Sequence, residues 1–276
     1  MAPFSVNELT NILARLLPDP HAGLLAGLLF GTKATLPKEL YNQLVSTGTI
    51  HIIALSGMNI TILIDLVASI IGTFVSKRVA SMLTIGVIVS FVWFVGPSAT
   101  IIRAAIMGSL TLIALVFGRQ SWALLSLALA VGGMLMLNFA WLSDISFQLS
   151  VLATLGIILF GKTMKPHENG NFFIKAREEV FYFLKQNFQL TLAAQVFTVP
   201  LIFFHFHRLS LIAPITNVAI AWVIPLVTTL GWVASISGWV WLPLGFLPAW
   251  MSWVLLEYLI RTVQTLSRVP FASVGL

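Results

Sequence analysis

Val79-Ala-Ser-Met-Leu-Thr-Ile-Gly-Val-Ile-Val-Ser-Phe-Val-Trp-Phe-Val95 carries no charged residue and stops at Gly96-Pro97. A run of that kind approaches the ~30 Å hydrocarbon thickness of a bilayer at about 1.5 Å per helical residue. After Ser98-Ala99-Thr100 a second apolar run, 101–117, begins; it holds one charge, Arg103, and ends at Gly118-Arg119. Two such runs around a Gly-Pro break read as a hairpin of spans. Outward from this hairpin the pattern repeats at 51–75, with one acid, Asp65, then at 121–139, 145–160, 188–206, 209–242 and 244–260. Pro214 and Pro225 divide 209–242, which is expected to hold two spans. The fold class is therefore all-α, a polytopic membrane bundle of about seven to nine spans with broken or re-entrant segments.

Composition agrees. Hydrophobic residues make up 58% of the 276 and charged residues 9%, against about 25% charged in a soluble domain. Mean hydropathy is +0.99. A soluble chain of this size has too much surface to hide so much apolar matter, and a disordered chain is charge-rich and poor in aromatics. The chain has no cysteine, which excludes disulfides, thiolate metal sites and cysteine nucleophiles. A net charge of +6 fits either the positive-inside bias of membrane proteins or an anionic substrate.

Residues 1–50 read as an N-terminal interfacial or re-entrant segment: Pro18-Asp19-Pro20 breaks it, and the apolar run Ala22–Gly31 is too short to span. Residues 51–260 form the membrane core and 261–276 a tail. The long hydrophilic stretch 161–187 contains Lys162, Lys165, Lys175, Arg177 and Lys185. Its second half, 172–187, reads as a separate amphipathic helix with Phe172, Phe173, Val180, Phe181 and Leu184 on its apolar side. Counting spans puts this loop on the same side as Lys77, Arg78 and Arg119, which makes that side cytoplasmic and places 32–49 outside.

Polar groups inside spans are costly and so informative: His51, Ser56, Asn59, Asp65, Arg103, Gln148, Gln195, His205 and Asn217. Arg103 follows the Gly96-Pro97 break, where a restarted helix offers free N–H groups and the positive end of its dipole to an anion. Snorkelling to an interface, or pairing with Asp65 or Asp144, is the alternative. On one continuous helix, His51, Asn59 and Asp65 share a stripe, with Asn59 about 80° and Asp65 about 40° from His51. Gln148, four residues after Asp144, and Thr191, Gln195 and Thr198 make further stripes. Ordinary interhelical hydrogen bonding accounts for each singly; a wet passage accounts for all together. Enzyme motifs fail. Ala54 stands where the serine motif of intramembrane proteases needs glycine, His205-Phe206-His207 is followed by Arg208 rather than an Asp-His pair, and neither a HExxH nor a Walker A pattern occurs. No cofactor and no metal is expected.

Several blocks, in order, resemble the ComEC family of bacterial competence proteins. They are Ala26–Gly31, Thr47–Gly57 with His51 and Ser56, Gly96-Pro97-Ser98 with Arg103-Ala104, Gly118-Arg119, Phe147-Gln148-Leu149-Ser150, and Gln195 with Pro200, His205-Phe206, Asn217 and Pro225. Asn59 stands where relatives often have histidine. The resemblance implies a multi-pass protein of the bacterial inner membrane, a channel for single-stranded DNA in transformation. Its substrate path would include Arg103, His51, Ser56, Gly57, Asn59, Gln148, Gln195 and Asn217, with the helix break at Gly96 and Pro97. The implied partners are single-stranded DNA, the lipid bilayer, a DNA receptor, a cytoplasmic DNA-translocating ATPase and a separate nuclease. The OB-like and metallo-β-lactamase-like domains of full-length relatives have no counterpart in these residues, so no catalytic activity is expected. A secondary transporter for a small anion, with its site at the Gly96-Pro97 break, is the alternative.

Overall fold

The computed structural model describes residues 5–32, 36–53, 57–161, 172–206, 208–269 and 273–275; side chains of 172–177, 180, 206, 208, 209 and 273–275 are outside the description. These residues form twelve α-helices: α1 (Val6–Leu16), α2 (His21–Phe30), α3 (Lys38–Ser46), α4 (Gly57–Gly72), α5 (Lys77–Val95), α6 (Ala99–Val116), α7 (Ala123–Leu137), α8 (Ile145–Phe160), α9 (Phe172–Phe206), α10 (Ala213–Ala221), α11 (Val223–Val240) and α12 (Leu242–Ser267). Two 3₁₀ turns, Ile50–Ile52 and Phe139–Ser143, interrupt them. A small antiparallel ribbon joins β1 (Arg208–Ser210) to β2 (Ser273–Gly275), with Leu209 opposite Val274. Five helices are long and apolar enough to cross a membrane: α5, α6, α9 from Phe181, α11 and α12. Four shorter apolar helices, α2, α4, α7 and α8, stand beside them. The chain is an all-α polytopic membrane protein.

The N-terminal segment is more central than its sequence implied. Ser5 caps α1, its hydroxyl accepting from the Glu8 N–H. The helix buries Leu9, Ile12, Leu13 and Leu16 on one face and packs on α11 and α12. All ten residues of α2 are buried, which explains why that helix shows no amphipathic stripe: it has no solvent or lipid side to mark. Small residues make the room. A Cβ at Gly231 would stand 2.7 Å from Leu25 Cδ1, and one at Gly245 would stand 2.9 Å from the Gly238 Cα, so α11 and α12 meet almost backbone to backbone.

Two segment boundaries differ from expectation. The pair of spans expected in 209–242 is one full span, α11, preceded by the nine-residue α10. Nine residues rise only about 14 Å, roughly half a bilayer core. The expected amphipathic helix at 172–187 is not separate. It runs without a break into the following span as the 35-residue α9, about 52 Å long and longer than a bilayer. Residues 162–171 of the basic loop lie outside the described residues.

A second, smaller core joins α6, α7 and α8 through Ala99, Met134 and Phe147, and α8 pairs closely with α9. A Cβ at Gly156 would collide with the Ala193 carbonyl oxygen, whereas at Gly132 it would meet nothing within 4 Å. The backbone contact between α8 and α9 thus depends on one absent methyl group. Gly156→Ala is expected to destabilise the detergent-purified protein by roughly 1–3 kcal/mol, read as a lowered thermal midpoint, while Gly132→Ala leaves it unchanged. Coincident melting curves for the two variants would show that the contact is not tight.

Candidate functional site: a buried guanidinium between α4, α6 and α8

The break predicted at Gly96-Pro97 is present. Gly96 has φ 100°, a region favourable to glycine, and α6 restarts at Ala99 with Ser98 extended and offering no side-chain cap. One turn in, Arg103 is buried at 8% exposure. Its Nη1 donates to the Ser150 carbonyl of α8 at 3.1 Å. Its Nη2 abuts Gly57, 2.8 Å from where a Cβ would stand. Its Nε is buried with no hydrogen-bond partner among the described residues.

Neither acid suggested as its partner is there. Asp144 caps α8, accepting from the Ser146 N–H at 2.7 Å. Asp65 is exposed on α4, and among the described residues the ion pairs are His21–Glu257 and Arg261–Glu257. Arg103 also does not snorkel, because it is enclosed. A guanidinium therefore lies in the protein interior against the first turn of α4, whose own N–H groups carry positive partial charge. Both features attract an anion, and both are costly without one.

The other predicted residues divide. Gly57 opens α4 and touches Arg103, as above. Asn59 is buried, and its Nδ2 donates to the Leu28 carbonyl at 2.7 Å, satisfying one of the orphan carbonyls at the C-terminus of α2. Gln148 donates to the Leu142 carbonyl at 2.8 Å and so fixes the turn before α8. His51 is a correction: it sits exposed in the 3₁₀ turn, with Nδ1 on the Gly48 carbonyl at 2.9 Å. Because His51 lies in the 3₁₀ turn Ile50–Ile52 and not on α4, it does not continue the stripe of Asn59 and Asp65 on one helix. Ser56 lies outside the described residues. Gln195 is half-buried on α9, and Asn217 on α10 has a buried Oδ1 without a hydrogen-bond partner among the described residues. Among the described residues no hydrogen bond joins Gln148, Gln195 or Asn217 to Arg103. His205 bonds to its own helix at the Leu201 carbonyl.

The sequence reading passed over His21 and Glu257. Buried His21 Nε2 meets Glu257 Oε2 at 2.9 Å, Glu257 Oε1 accepts from Arg261 Nε at 2.6 Å, and Trp253 stacks near the histidine with ring centroids 5.2 Å apart. The available signal was an acid in an apolar span with arginine four residues later. This cluster ties α2 to α12.

With the geometry in hand, comparison with known proteins is decisive for the family. A family model described as Competence protein matches residues 28–276. The chain belongs to the competence protein family. It is 24% identical over 199 residues to ComE operon protein 3 of Bacillus subtilis (strain 168). That alignment covers 72% of this chain but only 24% of the relative, so the chain spans about a quarter of that protein's length. No solved structure matches the chain at a significant level. Within the family fold, Arg103 and Asn59 have opposite energetic signs. Asn59→Leu strands the buried Leu28 carbonyl and is expected to cost about 1–3 kcal/mol. Arg103→Met removes a buried charge that has no acidic partner among the described residues and is expected to leave stability unchanged or raise it. Chemical or thermal unfolding in detergent checks both. A large loss in Arg103→Met would mean that the guanidinium holds the helices together.

Proposed function

We propose that this competence-family chain forms the membrane passage through which single-stranded DNA crosses the bacterial inner membrane in transformation. The observation that carries the reading is the buried Arg103, without an acidic partner among the described residues and set against the N-terminal turn of α4. A polyanion crossing a low-dielectric slab needs sparse cationic guidance rather than tight binding. One guanidinium and one helix terminus supply that. Ser150 holds the guanidinium by a neutral carbonyl, which orients it without cancelling its charge.

Transport needs energy, and the chain has no nucleotide-binding motif. A cytoplasmic ATPase or the membrane potential supplies it in this reading, and degradation of the non-transported strand falls to a separate nuclease activity. A DNA receptor would deliver the substrate to the outer face. A single guanidinium beside a helix break also suits a small anion, and the experiment separates the two. The chain is expressed in a competent host lacking its own channel, alone and with a separately expressed nuclease domain, and labelled DNA is followed into the cytoplasm. Label is expected inside in at least one arrangement, falling at least tenfold in Arg103→Met at equal membrane levels. Absence of uptake in both arrangements, with correct insertion, or uptake indifferent to Arg103→Met, overturns the reading.

A further inference from the structure

Asp65 is the feature that neither the fold nor the Arg103 site uses. It lies eight residues from Gly57 and seven from Gly72, at the middle of α4, and it is exposed. A charged carboxylate at the middle of an apolar helix is costly against lipid tails. At 100° per residue, counted from Gly57, α4 turns Ile64 toward α6 at about 340° and Ile60 and Leu63 toward the core at about 300° and 240°. Thr61, Asp65 and Ser69 fall at about 40°, 80° and 120°, on the opposite side, and all three are exposed. On α6, Ala104 and Gly108 face α4, Ala104 lying against Gly57 and Gly108 against Ile64. Counted from Ala104, buried Ile101 and Ala105 point to the core at about 60° and 100°, whereas Met107 and Thr111 lie at about 300° and 340°. Thr111 is exposed. Thr111 therefore flanks the same open side of the α4–α6 contact as Thr61, Asp65 and Ser69, with Met58 of α4, 41% exposed, and Met107 of α6 beside them. Its far end opens into a shallow depression lined by Thr111, Leu115, Arg119, Gln120 and Ser121.

The hydroxyls complete the pattern. Thr61 donates to the Gly57 carbonyl at 3.0 Å, Ser69 to Leu66 at 2.9 Å and Thr111 to Met107 at 3.0 Å. Each spends its proton on its own helix and keeps oxygen lone pairs free to accept from water. Asp65 makes no ion pair among the described residues. The geometry points to a water-filled lane along α4 and α6, in which the Asp65 carboxylate draws small cations and turns anions away. In the proposed passage this carboxylate stands about 12 Å along α4 from the level of Arg103 and keeps a polyanion from lodging on the guanidinium.

The cysteine-free chain allows a direct test that uses no DNA, so that its outcome is separate from that of the transport reading. Single cysteines replace Thr61, Ser69 or Thr111, and Met82 or Val89, both 62% exposed on α5, as bilayer-facing controls. Membrane vesicles are treated with impermeant methanethiosulfonates of equal size, one bearing trimethylammonium and one sulfonate. Thr61→Cys, Ser69→Cys and Thr111→Cys are expected to react while Met82→Cys and Val89→Cys stay silent. One helical turn from Asp65, about 6 Å away, a water-like dielectric changes each reagent's local concentration about threefold in opposite senses. The cationic reagent should thus react roughly tenfold faster at Thr61→Cys and Ser69→Cys, and Asp65→Asn should remove that preference. If these positions react only with a membrane-permeant maleimide, the lane is dry or covered by a second copy and the proposal is wrong. If they react equally with both charges whether or not Asp65 is present, the lane is wet but Asp65 does not draw cations into it, and that part of the proposal is overturned.

Discussion

The contact between Gly238 and Gly245 is the one on which the rest of the structure leans. With no side chains between them, α11 and α12 approach to backbone distance, the close packing that substitutes for hydrophobic force inside lipid. The notch they leave receives Ile12 and Leu16 of α1. That docking carries the chain back to α2, whose Leu25 and Leu29 press on Gly231. The Leu28 carbonyl then holds Asn59 of α4, Gly57 two residues earlier seats the Arg103 guanidinium, and Arg103 reaches Ser150 on α8. A continuous series of close contacts thus runs from the last helical hairpin to the charged site.

That series explains which parts were legible in the sequence. Spans announce themselves by length and apolarity, so α5, α6, α7 and α8 lie close to where the hydropathy placed them. The break at Gly96-Pro97 was legible because only a few backbone conformations accept that dipeptide after a helix. Depth of burial was not. A helix buried on all sides, such as α2, and one bathed in lipid on all sides have the same composition, since both environments are apolar. The start of α4 was hidden for a related reason. Ile50-His51-Ile52 suits a helix as well as the 3₁₀ turn that is there, and tertiary packing decides between them. The polar residues were found by type but not by role: Asn59 and Gln148 satisfy backbone carbonyls left open at helix ends, which a linear sequence does not display.

Arg103 and Asp65 show how differently the fold treats two intramembrane charges. Several polar side chains are spent on the chain itself: Asn59 on α2, Gln148 on a turn, Asp144 on a cap, and Glu257 on His21 and Arg261. Those arrangements lower the energy of the folded state and need no further purpose. Arg103 is satisfied only in part, by one neutral carbonyl among the described residues, and it lies beside a helix terminus of like sign. Asp65 is left in the open. Neither placement makes the bundle more stable, and an apolar residue at either position would serve folding as well or better.

The positions of the two charges then set a physical requirement on the proposed passage. A guanidinium enclosed on three sides amplifies its field, because little water is near to screen it. A carboxylate in an open polar lane has its field damped by the water around it. A phosphate chain would therefore feel a strong attraction near Arg103 and a weaker, water-screened repulsion from the carboxylate beyond it. Entry needs the first and release needs the second, since a site that only attracts would hold its polyanion and stop. Placing the cation where it is dry and the anion where it is wet makes the attraction the stronger of the two and leaves a milder repulsion to assist release. The reverse arrangement, an exposed arginine and an enclosed aspartate, would attract weakly over the length of the lane and repel strongly at its narrowest contact.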